Sequence, residues 1–262
     1  MKYKEIQAEP LTDHFGAVIT GLDLGGGQFD HNTITEIKDA FAQYQLLIFR
    51  DKILTPKDQI RFSQIFGNLE VFPYHPTQLE EYPEIFRLST NQEEGYKNVG
   101  FYWHQDGSFR HKPTAVSIFH LIKIPGKGGK TLFADAYEAY NRIPSELKPL
   151  AEKIKTIHDG NIVHDLVIKH PITGKKALYL NLGLVRSIKG FDADEKDKAL
   201  ELIDMFQSIL DHPDVMYSHT WQEGDLIVAD NYSVFHQATE TEPGNERTLH
   251  RTSIHGELAL ND

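Results

Sequence analysis

The chain has 262 residues, 40% hydrophobic and 25% charged, with 27 basic against 38 acidic side chains and a net charge of −11. That length holds a sizeable core, and the acidic surplus argues against a nucleic-acid binder, which needs a basic surface. The absence of cysteine excludes disulfides, thiolate nucleophiles, iron–sulfur clusters and zinc–thiolate sites, and leaves 14 histidines as the stock of metal ligands.

The opening MKYKEIQAEP lacks the apolar centre of a signal peptide, and no run of 18 apolar residues occurs. Neither secretion nor a membrane span is therefore expected, and the chain reads as cytoplasmic. In chain order, ITGLDL and QLLIF are short apolar runs of strand type. Between them, Thr33-x-x-Glu36 has the spacing of a capping box and predicts a helix through about Tyr44. Thr55-Pro56-x-Asp58 opens a second helix that carries Phe62, Ile65 and Phe66 on one face and stops at Gly67. From residue 85 strands dominate: IFRLS, AVSIFHLIKI, KTLFA, ALYLN, DVMYSHTW, DLIVAD, SVFHQA and LHRTSIHGE, many separated by Pro-Gly, Gly-Gly, Thr-Gly or Glu-Gly turns. Helices are expected over about 136–155 and 193–210, the latter with an apolar stripe of Leu202, Ile203, Phe206, Ile209 and Leu210 that faces a core. Many strands with few helices argue for a mainly β sandwich or barrel with flanking helices.

Three His-x-(Asp/Glu) triplets occur, His104/Asp106, His212/Asp214 and His255/Glu257, where 14 histidines and 38 acids would give about two by chance. The motif alone therefore carries almost no weight. His212-Pro-Asp214 sits after an amphipathic helix, where proline and aspartate punctuate turns, and His255 stands too near the end for a later ligand. His104 instead precedes the β-rich region. On a strand, residues i and i+2 share a face, so His104 and Asp106 can bind one ion, and a histidine from a late strand completes a facial triad of the non-haem Fe(II) type. His236 in SVFHQA is the candidate; His164, His170 and His219 are rivals, the first two reading as packing or loop residues.

Taken in order, FGAVITGLDL, LLIFRDK, TPKDQIRFSQIFGNL, YWHQDGSF, GGKTLFAD, HPITGKKALYLN, WQEGDLIVADNYSVFHQA and ERTLHRTSI span nearly the whole chain. Together they resemble the taurine dioxygenase/TfdA family of Fe(II)- and 2-oxoglutarate-dependent dioxygenases. The resemblance implies a double-stranded β-helix (jelly roll) core in a single domain, 1–262, with a helical insert over about 135–212 partly covering the active-site mouth. It implies His104, Asp106 and His236 as iron ligands. Thr131, 27 residues after His104, and Arg247, 11 after His236, match the residues that hold the 2-oxoglutarate carboxylate. Arg251, 15 after His236, matches an arginine used on anionic substrates. Guanidinium suits these roles because its planar fork meets a carboxylate in two hydrogen bonds.

The match departs from taurine dioxygenase in two places. Phe72 stands where a sulfonate-binding histidine is expected, with His75 three residues on, and Gly100 stands where the family has asparagine. Taurine is therefore not the expected substrate, and Phe72, Tyr74, Phe101 and Tyr102 are candidate pocket residues. The implied reaction uses O2 to decarboxylate 2-oxoglutarate to succinate and CO2 while hydrogen is abstracted from a small, anionic organic substrate. Hydroxylation, desaturation or oxidative decarboxylation, including isonitrile formation, are all open outcomes. The implied protein has no nucleic-acid or membrane partner, and relatives are commonly dimers or tetramers. A cupin-like metal protein would share the triad without needing Thr131 or Arg247, and a non-catalytic binding module would not need an intact triad.

Overall fold

The computed structural model describes residues 3–72, 79–97 and 99–256. Strand β1 (Gln7–Pro10) pairs antiparallel with β2 (Ala17–Thr20). Helix α1 (His31–Tyr44) then returns the chain to β3 (Leu46–Phe49), which runs parallel to β2. The helix begins earlier than Thr33–Glu36 suggests. Asp30 is the N-cap and accepts from Thr33 N at 2.9 Å, whereas Glu36 turns away to accept from the backbone N–H groups of Lys4, Glu5 and Ile6. A glutamate occupied by three distant donors cannot reach back to close a box. Helix α2 (Pro56–Ser63) has the expected one: Thr55 accepts from Asp58 N, and Asp58 accepts from Thr55 N. It tightens into a 3-10 turn and stops at Gly67, whose φ of 142° favours glycine.

Strands β4 (Phe86–Ser89), β5 (Thr114–Lys123) and β6 (Thr131–Asp135) follow. The segment after them is mixed rather than helical. It contains α3 (Ala136–Asn141), α4 (Lys148–Ala151), five short strands and α5 (Lys196–Leu210). The strands are β7 (Lys155–His158), β8 (Val163–Asp165), β9 (Val167–Lys169), β10 (Lys176–Leu178) and β11 (Val185–Lys189). Pro144 lies between α3 and α4 and lacks the N–H that one continuous helix would need there. The chain closes with β12 (Met216–His219), β13 (Leu226–Asp230), β14 (Val234–Ala238) and β15 (Thr248–His255).

Seven strands form a large sheet in the order β1-β2-β3-β13-β5-β15-β4, and β12-β6-β14 form a small one. Their alternating side chains build three cores. On β13, Leu226 and Val228 pack toward α1 and α2 with Phe41, Phe62 and Phe66. Ile227 and Ala229 face the other way, against Phe133 and Val234 of the small sheet. The outer face of the small sheet, Ala134 and Phe235, is covered by Leu202, Phe206 and Leu210 of α5. Phe62 is fully buried in edge contact with Phe29, Phe49 and Phe66, a burial worth roughly 2 kcal/mol for a side chain of this size. Beyond β13 the chain crosses from the large sheet to the small one, which brings β14 and His236 opposite β5 and β15. No helix among the described residues is long and apolar enough to cross a membrane.

Candidate active site

The triad forms where the two sheets face each other, at a place with little regular structure. His104 belongs to no strand. It makes a single antiparallel bridge to His236, donating to and accepting from its backbone at 3.1 and 2.9 Å. The chain then bends, so Asp106 reaches the site from a turn and not from a strand face as expected. Asn231 holds that turn, accepting from Asp106 N at 3.0 Å and donating to Asp106 O at 2.7 Å. The ligand atoms of His104, Asp106 and His236 lie within 4.8 Å of one another. Among the described residues this is the one group of three or more His, Asp or Glu side chains placed to hold a metal.

His104 Nδ1 lies 2.8 Å from Tyr102 O, which fixes the proton on Nδ1 and leaves the Nε2 lone pair facing Asp106 Oδ1 at 3.8 Å. His236 Nε2 faces Asp106 Oδ2 at 3.7 Å. Burial lowers the proton affinity of both imidazoles, and with His104 alongside, His236 is pushed down to about 3. Burial acts on Asp106 in the opposite sense, raising it. The Arg251 guanidinium and the two histidines outweigh that and hold the carboxyl well below its usual range. Asp106 is also clamped at both oxygens: Ser117 Oγ donates to Oδ2 at 2.6 Å and Arg251 Nη1 donates to Oδ1 at 2.8 Å. Two neutral imidazoles and one ionised carboxylate, all buried and converging, are a donor set that suits ferrous iron and leaves a face open.

His104 and His236 open onto a cavity that Thr131, Arg247 and Arg251 also line. Arg247 is 9% exposed, donates from Nη1 to Gly129 O at 2.8 Å, and has no carboxylate within ion-pairing distance among the described residues. Burial alone pulls its guanidinium down to about 10. Thr131 Oγ1 accepts from Trp221 Nε1 at 3.0 Å, which leaves its own hydroxyl proton for a ligand. A cation without a counter-charge and a hydroxyl donor in one cavity have the chemistry that suits a carboxylate.

The aromatic candidates separate. Phe101 lines the cavity. Phe72 packs on Phe86, and the Arg251 guanidinium lies over both rings, 5.8 and 4.8 Å from their centroids. Tyr102 does not line the cavity; it meets His104 edge-on and lies against Gly183, where a Cβ would fall 2.2 Å from its ring. Tyr74 and His75 lie outside the described residues. The rival histidines have partners elsewhere: His164 bonds Ser108 O, His170 bonds Asp230 and His219 bonds Asp225. The insert was expected over the mouth, yet residues 135–212 contribute none of the described lining. Sequence reasoning missed Ser117, Asn231 and Trp221. Only Ser117 left a signal, as an inward polar residue in the apolar run AVSIFHL.

A family model described as "Taurine catabolism dioxygenase TauD, TfdA family" matches residues 7–253. The chain is 28% identical to the (S)-phenoxypropionate/alpha-ketoglutarate-dioxygenase of Sphingobium herbicidovorans, over 95% of both chains. It is likewise 28% identical to an alkylsulfatase of Acinetobacter baylyi, over 97% of this chain and 86% of that one. A crystal structure of a taurine dioxygenase from Burkholderia xenovorans superposes with a TM-score of 0.85 at 25% identity, covering 97% of this chain and 90% of the other. With the triad intact and the match running from β1 to β15, the chain belongs to the TauD/TfdA family and is an Fe(II)- and 2-oxoglutarate-dependent oxygenase acting on a small substrate.

Proposed function

We propose that His104, Asp106 and His236 hold Fe(II), that Arg247 and Thr131 hold the distal carboxylate of 2-oxoglutarate, and that the substrate is a small organic anion with an apolar body. The observation that carries this reading is Arg247, a buried cation without a counter-charge in the same cavity as the triad. Burying a charge is costly unless it is paired, so such a guanidinium is a standing demand for an anion. When bound, the iron supplies the redox chemistry that couples decarboxylation of 2-oxoglutarate by O2, giving succinate and CO2, to removal of hydrogen from the substrate.

The chain's own residues do the positioning. Ser117 and Arg251 fix the plane of the Asp106 carboxylate, and Tyr102 O fixes the His104 tautomer. Arg251 both holds Asp106 and lines the cavity, so its remaining edge is our candidate for the substrate anion, with Phe101 and Phe119 against the apolar body. Two relatives whose names carry an anionic group with an organic tail, the phenoxypropionate dioxygenase and the alkylsulfatase, support that class. Taurine fits poorly. Phe72 offers no hydrogen bond where a sulfonate partner is needed, and Gly100 lies so close to His104 that a Cβ would fall 2.7 Å from its ring. We also propose that the two facing sheets form a double-stranded β-helix within one domain.

The test is an anaerobic titration of apoprotein with Fe(II) and then 2-oxoglutarate, followed by the weak visible charge-transfer absorption of a chelated keto acid. The band is expected in the wild type and absent in His236→Ala. Iron binding with no band would reject the 2-oxoglutarate assignment and favour a cupin-like metal protein.

A further inference from the structure

The residue between the two ligands, Gln105, is fully buried and does not point at the metal site. Its amide reaches the insert instead. Nε2 donates to Leu178 O at 3.3 Å and Oε1 accepts from Leu180 N at 3.0 Å. One side chain thus satisfies a carbonyl and an N–H two residues apart, as a neighbouring strand would, just past the end of β10. The same stretch of insert grips the metal loop on both sides of Gln105. Leu182 N donates to Trp103 O at 3.0 Å, and Trp103 Nε1 donates to Asp211 at the end of α5 at 2.8 Å. Asn181 Nδ2 donates to Ser108 Oγ at 2.9 Å, and His164 Nε2 bonds Ser108 O. The insert therefore backs the loop that carries two of the three proposed ligands, and residues 135–212 are absent from the described cavity lining.

We propose that Gln105 is a positioning residue for the metal site, and that through it the insert sets the spacing of His104 and Asp106. The proposal rests on the reading of the triad as a metal site. Physically, His104 is anchored by its bridge to His236 and Asp106 by Asn231, Ser117 and Arg251. The peptide between them is held by Gln105, whose rotamer is fixed by two hydrogen bonds in a dry environment. Groups that orient ligands in this way typically govern metal affinity by about 10- to 100-fold. Coupling of this kind is reciprocal: if the clamp strengthens metal binding, metal binding must tighten the clamp by the same factor.

The experiment compares wild type with Gln105→Leu, which keeps the volume and removes both hydrogen bonds. Co(II) affinity is measured by anaerobic titration, and the melting temperature of the apoprotein reports the structural effect separately. The expected result is a loss of Co(II) affinity of about tenfold or more. In parallel, hydrogen exchange of the wild type with and without Co(II) reads the amides of Leu180 and Leu182, which should slow by a similar factor. The exchange arm decides the matter if Gln105→Leu does not fold. A lowered apoprotein melting temperature with unchanged Co(II) affinity, or Leu180 and Leu182 amides indifferent to Co(II), would overturn the proposal. A wild type that binds no Co(II) would bring it down together with the triad, an outcome distinct from intact metal binding without coupling.

Discussion

Replacing Arg247 by methionine removes the guanidinium while keeping most of the stem, and its two consequences have opposite signs. Burial pulls Arg247 from the ordinary 12.5 to about 10. A tenfold change in proton affinity is about 1.4 kcal/mol, so the protein without cosubstrate carries roughly 3 kcal/mol of uncompensated charge burial. Part of that is offset by the hydrogen bond to Gly129 O, worth about 1.5 to 3 kcal/mol for a charged donor. Arg247→Met should therefore leave the apoprotein no less stable, with a melting temperature unchanged or up to about 5 °C higher at roughly 2 to 4 °C per kcal/mol. Affinity for 2-oxoglutarate moves the other way. Removing one partner of a buried charged pair costs about 2 to 5 kcal/mol, which is on the order of 30- to several-thousand-fold in Kd. The assays are thermal melting of the apoprotein and anaerobic 2-oxoglutarate titration of the Fe(II) protein. A variant that melts several degrees lower and still binds 2-oxoglutarate like the wild type would refute the reasoning, because Arg247 would then be a structural cation.

Trp221→Phe removes the N–H that Thr131 Oγ1 accepts, freeing that hydroxyl to rotate. The KM for 2-oxoglutarate should rise by about 2- to 12-fold, the worth of one net hydrogen bond, with kcat little changed; an unaltered KM would show that Thr131 needs no such support. Asp135 caps α3 through Tyr137 N and Glu138 N, and burial raises its carboxyl to about 6. Its folded value lies above the ordinary 3.8, so the ionised form is penalised above pH 6 and the penalty is relieved as pH falls toward 4. Asp135→Asn keeps the capping oxygen without the charge. It should add up to about 3 kcal/mol at pH 8, with the gain fading through pH 6 and gone near pH 4. Denaturant titrations at those three pH values check this, and a gain independent of pH would contradict it.

What could be read from sequence was whatever is encoded locally. Thr55-Pro56-x-Asp58 specifies its cap within four residues, and the α5 stripe repeats at helical spacing, so both are as expected. The cap of α1 was misplaced because Glu36 is claimed by Lys4, Glu5 and Ile6, partners some thirty residues away that no local pattern announces. The short strands of the insert run three to five residues each, too few for alternation to show. At the site, the three residues that converge could be picked out by order and spacing along the chain. Their supports could not. Ser117 meets Asp106 across 11 residues, Trp221 meets Thr131 across 90, and Asn231 meets Asp106 across 125. The Asn231 contact comes from the crossing between β13 and β14, whereas Trp221 reaches Thr131 because β12 pairs with β6 at His219 and Thr131.

Charge in the cavity supplies the last step toward the substrate. The protein is strongly acidic overall, yet the described lining includes Lys97, Arg247 and Arg251 and no Asp or Glu. Arg251 is matched by Asp106 just behind it. Ferrous iron adds two positive charges and 2-oxoglutarate two negative ones, so these cancel. Arg247 and Lys97 then have no fixed counter-charge in the described lining, Arg247 being the residue proposed to meet the cosubstrate. At the mouth of a cleft such an excess is not neutral background; it draws anions and disfavours cations. Once the cosubstrate is seated, the anionic substrate proposed above would meet that excess.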